Sequence, residues 1–107
     1  MKPGPKPRPI SDRFWAKVDK EHGPIHPKLG RCWIWKGGTT EEGYGKVYGE
    51  DGKLDMAHRV SYKLEHGWDS IQKGYEVDHL CKTRSCVRPK HLEAITKEDN
   101  LDRRDDW

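Results

Sequence analysis

The stretch VDHLCKTRSCVRPKHLEAIT, residues 77–96, holds two of the six histidines and two of the three cysteines of the chain. Cysteine and histidine at close spacing are typical zinc ligands. An aspartate beside a histidine, with a second histidine nearby, offers the donors of a metal-assisted hydrolase. The stretch therefore raises two expectations that use different residues: a structural metal and a reaction centre.

The composition predicts one small domain with a thin apolar core. The chain has 107 residues, of which 32% are hydrophobic and 36% charged, so we expect it to need an additional staple. Five tryptophans and four tyrosines argue against disorder. Three cysteines do not form a disulfide framework, and neither a membrane span nor a secretory signal is visible. We therefore expect a protein of the reducing cytoplasm, without membrane contact, in which clustered Cys and His bind metal.

The excess of positive over negative charge comes from the N-terminus. The net charge is +3, and three cations precede the first acid, namely Lys2, Lys6 and Arg8. The proline-rich segment MKPGPKPRP predicts an extended arm over residues 1–10, followed by a domain over residues 11–107. Such an arm is either a loose terminus or a basic strap along DNA.

The hydrophobic pattern predicts an α+β fold of short elements. The helix signals are an N-cap at Ser11, the segment AHRVSYKLEHG with Gly67 as its stop, Pro89 as a first helical residue, and the C-terminal KEDNLDRRDDW. The strand signals are CWIWKGG (32–38), GYGKVYG and KLDMA around the turn Glu50-Asp51-Gly52, and YEVDHL. The first helix is expected to run from Ser11 to about Asp19.

Two cysteines of the opening stretch are spaced to bind one zinc ion. Cys81 and Cys86 are separated by four residues of a turn-like segment, and Cys32 would be a third thiolate. The fourth ligand would then be a histidine, for which we choose His58. In the alternative, Cys32 is a small buried apolar residue and the other two are ordinary thiols.

The acid and the histidines of the stretch suggest a catalytic ion. Asp78 and His91 could hold Mg²⁺ or Mn²⁺, and His79 could take a proton from an attacking water. Neighbouring side chains on a strand point to opposite faces, so Asp78 and His79 can share one site only at a strand end or an irregular turn. A crossing helix must supply the other residues, and the segment after Pro89 could form it. Otherwise these histidines are simply structural or exposed at the surface.

The charges near this candidate site favour an anionic partner. Between residues 78 and 97 five cations outnumber two acids, and the cations are Lys82, Arg84, Arg88, Lys90 and Lys97. A local positive cluster around a metal attracts a polyanion, so phosphate is the natural substrate group.

From CWIWKG through GYG, AHRVSYKLEHG and VDHLC to CVRPKHLEAIT and DN, the chain resembles the small phage and homing-type HNH endonucleases. The resemblance covers roughly residues 11–104 and implies a ββα-metal fold. It implies His79 as the general base, with Asp78 and His91 holding a divalent ion. The implied reaction is hydrolysis of a DNA phosphodiester that leaves a 5′-phosphate and a 3′-hydroxyl.

The resemblance also bears on residues outside the reactive trio. Arg88 occupies the place of the family's middle asparagine, either as a hydrogen-bonding substitute or as a phosphate contact. A structural zinc at Cys32, Cys81 and Cys86 is implied, with His58 as a zinc ligand or a DNA contact. Arg59 would clamp the scissile phosphate. The expected DNA contacts are Lys2, Lys6, Arg8, Arg59, Arg84, Arg88, Lys90 and Asn100.

The sequence thus predicts a small zinc-stapled α+β domain that acts as a metal-dependent DNA endonuclease. One such site cuts one strand, so a monomer should nick, and a weak homodimer or two events would cut both strands. The alternative is a zinc-stapled DNA-binding module without catalysis, which the arginine at position 88 favours. A purely structural zinc protein that binds another protein would leave the Asp78–His79 pair unexplained.

Overall fold

Short antiparallel ribbons alternate with helices in the computed structural model, which describes residues 10–49 and 52–104. The helices are α1 (Ile10–Trp15), α2 (Ala57–His66) and α3 (Lys97–Arg104), with one 3-10 turn at Pro89–His91. The paired strands are β1 (Val18–Asp19) with β4 (Ile34–Trp35), β2 (Ile25–His26) with β3 (Gly30–Arg31), β5 (Lys46–Tyr48) with β6 (Leu54–Met56), and β7 (Tyr75–His79) with β8 (Leu92–Thr96). The expected small α+β fold with short hairpins and few helices is confirmed. Within the described ranges, no helix is long and apolar enough to cross a membrane.

The longest ribbon and the last helix form a β-β-α unit. β7 and β8 pair antiparallel, with Asp78 opposite Glu93 and His79 opposite Leu92. Helix α3 follows β8 directly and packs against both strands. Helix α2 also contacts both strands, so the end of β7 lies among two helices and a neighbouring strand.

A small aromatic and aliphatic cluster supports this unit from the N-terminal half. Phe14 of α1 stacks on Trp35 of β4 with ring centroids 4.8 Å apart. Ala57 and Val60 of α2 and Val87 complete the contact, and all are nearly inaccessible to solvent. The core is as thin as the composition predicts, because it draws only a few residues from each element.

Helix α2 ends where the sequence indicates. Its buried face includes Val60, with Leu64 partly buried, as the period of the pattern requires. Gly67 adopts a φ of 114° and its N–H donates to the carbonyl of Lys63 over 2.7 Å. Only glycine enters this region of φ readily, which explains the stop.

Three expectations about elements need correction. The first helix starts at the buried Ile10 and ends at Trp15, well before Asp19. Only Ile34–Trp35 of the segment 32–38 is regular strand. The helix expected from Pro89 is a single 3-10 turn, because residues 92–96 pair with β7 and bury Leu92 and Ile95. Tertiary pairing here overrides the helix-start signal of proline.

Some expectations fall outside the described residues. They concern the arm over residues 1–9 with its three cations, and the two residues Glu50 and Asp51 of the turn. The strands on either side of that turn do pair, with Lys46 opposite Met56 and Tyr48 opposite Leu54. The expected hairpin is therefore confirmed by its strands.

Gly45 makes the close approach of β5 to the core possible, and we expect Gly45→Ala to destabilise the fold. A Cβ at this position would lie 2.6 Å from Cδ1 of Trp35 and 2.8 Å from Cβ of Ala57. Neither buried group can move away, so the free energy of unfolding should fall by about 1–3 kcal/mol. Gly38→Ala is the matched control, because its Cβ meets only the flexible side chain of Lys46 at 3.2 Å. Denaturation followed by tryptophan fluorescence measures both, and equal stabilities of the two variants would contradict the packing argument.

Candidate metal centres

Three thiols and one imidazole converge at one end of the β7–β8 ribbon. Candidate ligand atoms of Cys32, Cys81, Cys86 and His91 all lie within 4.8 Å of one another. Nδ1 of His91 is 3.6 Å from Sγ of Cys32 and 3.5 Å from Sγ of Cys86. Cys32, Cys86 and His91 are buried, and Cys81 is partly exposed. A Cys₃His set of this size is a tetrahedral zinc set, so these residues could hold a zinc ion.

Backbone contacts bring the distant third thiol to the others. The Cys32 N–H donates to the carbonyl of Pro24 over 2.8 Å, which fixes the segment between β3 and β4. Ile34 forms an isolated antiparallel bridge with Cys86. Cys81 and Cys86 flank a tight turn in which Lys82 has a φ of 58°, an uncommon conformation for a residue with a side chain.

The thiols differ in their readiness to ionise. The hydrogen bond from the Cys86 thiol lowers the pKa of Cys81 to about 4. The same interaction and burial raise the pKa of Cys86. Burial raises the pKa of Cys32. Thiolate is the form of cysteine that binds metal, so Cys81 is the sulfur best prepared to bind first.

The zinc cluster contains a different histidine from the one that the sequence analysis chose. His91, assigned to the catalytic ion, lies with the cysteines, whereas His58, chosen as the zinc ligand, does not belong to the cluster. Nε2–H of His91 donates to the carbonyl of Leu29 over 3.0 Å, so Nδ1 keeps its lone pair for a metal. The spacing could have revealed this, since Cys81, Cys86 and His91 follow one another at equal intervals of five residues.

A second concave site lies where β7 ends. It is a cavity of about 230 Å³ with contributions from β7, from the first turn of α2 and from α3. The lining residues are Tyr44, Met56, His58, Arg59, Glu76, Val77, Asp78, His79 and Asn100. The cavity thus brings together Asp78 and His79, as expected, while the crossing helices that complete it are α2 and α3.

His79 is held rigidly at this cavity. Its Nε2–H donates to the carbonyl of Cys86 over 3.0 Å, which leaves Nδ1 as the basic nitrogen. The His79 ring is 4.5 Å from the ring of His58 and 5.9 Å from that of Tyr44. Only 2% of the residue is exposed, and burial lowers its pKa, so the imidazole is neutral and able to accept a proton.

His58 lies beside His79 in an unusual environment. It is 8% exposed, and its Nδ1 has no hydrogen-bond partner, the single such buried side-chain nitrogen or oxygen found in the described part of the chain. Burial, reinforced by His79, lowers the pKa of His58 to about 3. The ring is therefore neutral, and the residue lines the cavity.

Arg59 and Asn100 approach the cavity from the two helices. Nε of Arg59 donates to Asp55 over 3.1 Å, and Nζ of Lys63 donates to the same carboxylate over 2.9 Å. Burial raises the pKa of Asp55, but the hydrogen bonds from Lys63 and the Met56 N–H, together with the charges of Lys63 and Arg59, outweigh burial and lower that pKa. Asn100 is buried, with 6% of its surface exposed, and it lines the cavity.

Two of the expected DNA-contacting arginines have partners within the chain. Nη1 of Arg88 donates to the carbonyl of Arg31 over 2.9 Å, and the guanidinium lies 5.0 Å from the ring of Trp33. This favours the hydrogen-bonding interpretation of Arg88 over a phosphate contact. Arg84 donates to the carbonyl of Glu42 over 2.8 Å. Its guanidinium also lies over Tyr44 at 5.3 Å.

Comparison of the sequence with known proteins independently supports the resemblance to HNH endonucleases. The family model for HNH endonuclease matches residues 55–101. The chain is 36% identical over 70 residues to Protein 2.8 of Escherichia phage T7, covering 64% of this chain and 45% of that protein. It is 39% identical over 46 residues to the uncharacterized gene 5.3 protein of Enterobacteria phage T3, covering 43% and 44% respectively.

These matches span less than half the length of either phage protein. No solved structure matches the chain. The matched segment nevertheless includes the Asp78–His79 pair, His58, His91 and Asn100. It also contains most of the β-β-α unit that the resemblance implies. Residues 55–101 are therefore similar to the HNH endonuclease family, whose model they match.

Proposed function

We propose that the chain is a metal-dependent DNA endonuclease whose active centre is the cavity at the end of β7. The observation that carries this proposal is the meeting of Asp78, His79 and Asn100 in one cavity. A carboxylate, an amide and a neutral imidazole are donors for a divalent ion and for general-base catalysis. The family of the matched segment supports DNA as the substrate.

The donors of this cavity fit Mg²⁺ or Mn²⁺. Asp78 and the side-chain oxygen of Asn100 would hold the ion, and Asn100 takes the role that the sequence analysis gave to His91. Oxygen donors suit hard cations, which keep several waters as further ligands. When bound, the ion supplies positive charge that stabilises the phosphate and the leaving 3′-oxygen.

His79 is the proposed general base. Its Nε2–H is bound to the Cys86 carbonyl, so Nδ1 would receive the proton from a water that attacks the phosphorus. A bond from the water oxygen to phosphorus forms, the bond from phosphorus to the 3′-oxygen breaks, and the 3′-oxygen takes a proton from solvent. Arg59, held by Asp55, would neutralise charge on the phosphate.

Zinc in the Cys₃His cluster is the proposed staple of the fold. It would join the segment that carries Cys32 to the turn that carries Cys81 and Cys86, and to the 3-10 turn of His91. A chain with so small a core gains stability from a metal that binds only the folded state.

We further propose that the protein acts on DNA in the cytoplasm of a phage-infected host, as a monomer that nicks one strand. The competing proposal is a DNA-binding module without catalysis. Its main support was the arginine at position 88, and the contacts of Arg88 with Arg31 and Trp33 give that residue a structural role instead.

Replacing the general base should nearly abolish strand cleavage. We expect His79→Ala to nick supercoiled plasmid at least about a hundredfold more slowly than the wild type in Mg²⁺ or Mn²⁺, because no other group takes the proton from water. His22→Ala is the control, since the His22 side chain is exposed and bonds to Asp19, outside the cavity. Equal nicking rates would refute the assignment, and retarded but uncut plasmid with the wild type would favour the binding module.

Asn100 should govern the requirement for the divalent ion. In Asn100→Ala we expect the Mn²⁺ concentration for half-maximal nicking to rise about tenfold or more, because one ligand is lost. Asp99→Ala, on the exposed side of the same helix, should leave that concentration unchanged. Initial nicking rates across a Mn²⁺ series give both values, and identical curves for the two variants would remove Asn100 from the ion.

Zinc content should depend on His91 and not on His58. We expect elemental analysis to find one zinc per wild-type chain, well under one in Cys86→Ser and His91→Ala, and one in His58→Gln. Loss of zinc in His58→Gln with retention in His91→Ala would restore the original assignment.

A further inference from the structure

His58 has no task in the mechanism above, although it lines the same cavity. Its unpartnered Nδ1 is buried, and a buried polar atom without a partner lowers stability unless something binds it. The residue is held in the first turn of α2, with its ring packed on that of His79 at 4.5 Å. Such an atom in a polar cavity indicates a missing ligand or water.

We propose that Nδ1 of His58 is a third protein donor to the divalent ion held by Asp78 and Asn100. The proposal rests on the proposed function, which supplies the ion. All three residues line one cavity, and they come from three different elements. Three protein donors would leave the remaining positions of the ion to water molecules, which hard divalent cations retain.

Other uses of His58 fit the contacts less well. His91 already completes the set of four at the thiols, so the zinc cluster needs no further ligand. With 8% of its surface exposed, the residue offers little to a DNA backbone. A second general base is redundant, because burial leaves the His58 imidazole a weak one. A neutral buried imidazole nitrogen is a good metal ligand.

An imidazole donor would give the centre a preference among divalent ions. Mg²⁺ and Mn²⁺ both suit carboxylate, amide and water ligands, but Mn²⁺ accepts an imidazole nitrogen more readily than the harder Mg²⁺ does. The His58 nitrogen would therefore favour Mn²⁺ over Mg²⁺ at this site. Its removal would reduce the difference between the affinities for the two ions. The side chain is in this sense a specificity-determining residue for the metal.

The experiment is electron spin echo envelope modulation of Mn²⁺ bound to the zinc-loaded, full-length protein. We expect nitrogen modulation from one imidazole in the wild type and in His79→Ala. The modulation should vanish in His58→Ala and His58→Gln. His66→Gln is the control, because His66 is an exposed histidine on the same helix.

Binding constants provide a second readout that does not require activity. The dissociation constant for Mn²⁺, followed by its free-ion resonance, should rise on the order of tenfold in His58→Ala. The dissociation constant for Mg²⁺, measured by its competition with Mn²⁺, should change much less. Zinc content and circular dichroism verify that each variant is folded. If His58→Ala does not fold, His58→Gln is used for the same measurement.

The possible outcomes separate the two proposals. Mn²⁺ that binds the wild type without nitrogen modulation overturns the role of His58 and leaves the proposed function standing, as when only water occupies Nδ1. Modulation that persists in both His58 variants does the same. A wild type that binds no Mn²⁺ overturns both proposals.

Discussion

The convergence of three sulfur atoms and one imidazole nitrogen is the constraint on which the remaining structure depends. These atoms lie within 4.8 Å of one another, yet they come from segments that are up to 59 residues apart. The apolar core draws few residues from each element, so it cannot by itself define the path of loops that contain little regular structure. The Cys–His cluster defines that path for the segment between β3 and β4 and for the turn after β7.

The Cys–His cluster and the cavity at the end of β7 differ in chemistry but are adjacent in structure. The cluster presents three sulfur atoms and one imidazole, which suit zinc, whereas the cavity presents carboxylate and amide oxygens, which suit a harder ion. The link between them is the Cys86 residue, whose sulfur belongs to one site and whose carbonyl holds His79 of the other.

Much of this could be predicted from sequence, and the failures have definite physical causes. The helix ending at Gly67, the β7 strand with Asp78 and His79, and the three cysteines followed from period, turn chemistry and spacing. The role of His91 was missed because a helix was expected after Pro89, and a helix would have turned that side chain elsewhere. Pairing of residues 92–96 with β7 is a long-range interaction, which local propensity does not contain.

The bond between His79 and the carbonyl of Cys86 has a consequence for how such sites diversify. Every residue carries a backbone carbonyl, so the orientation of the base does not depend on which side chain stands at position 86. That side chain is thereby open to selection for a different purpose, and here it is a sulfur donor. The Arg88 guanidinium likewise donates to a backbone oxygen, that of Arg31. A side chain that bonds to a backbone oxygen in this way keeps its orientation when the side chain of its partner residue is replaced.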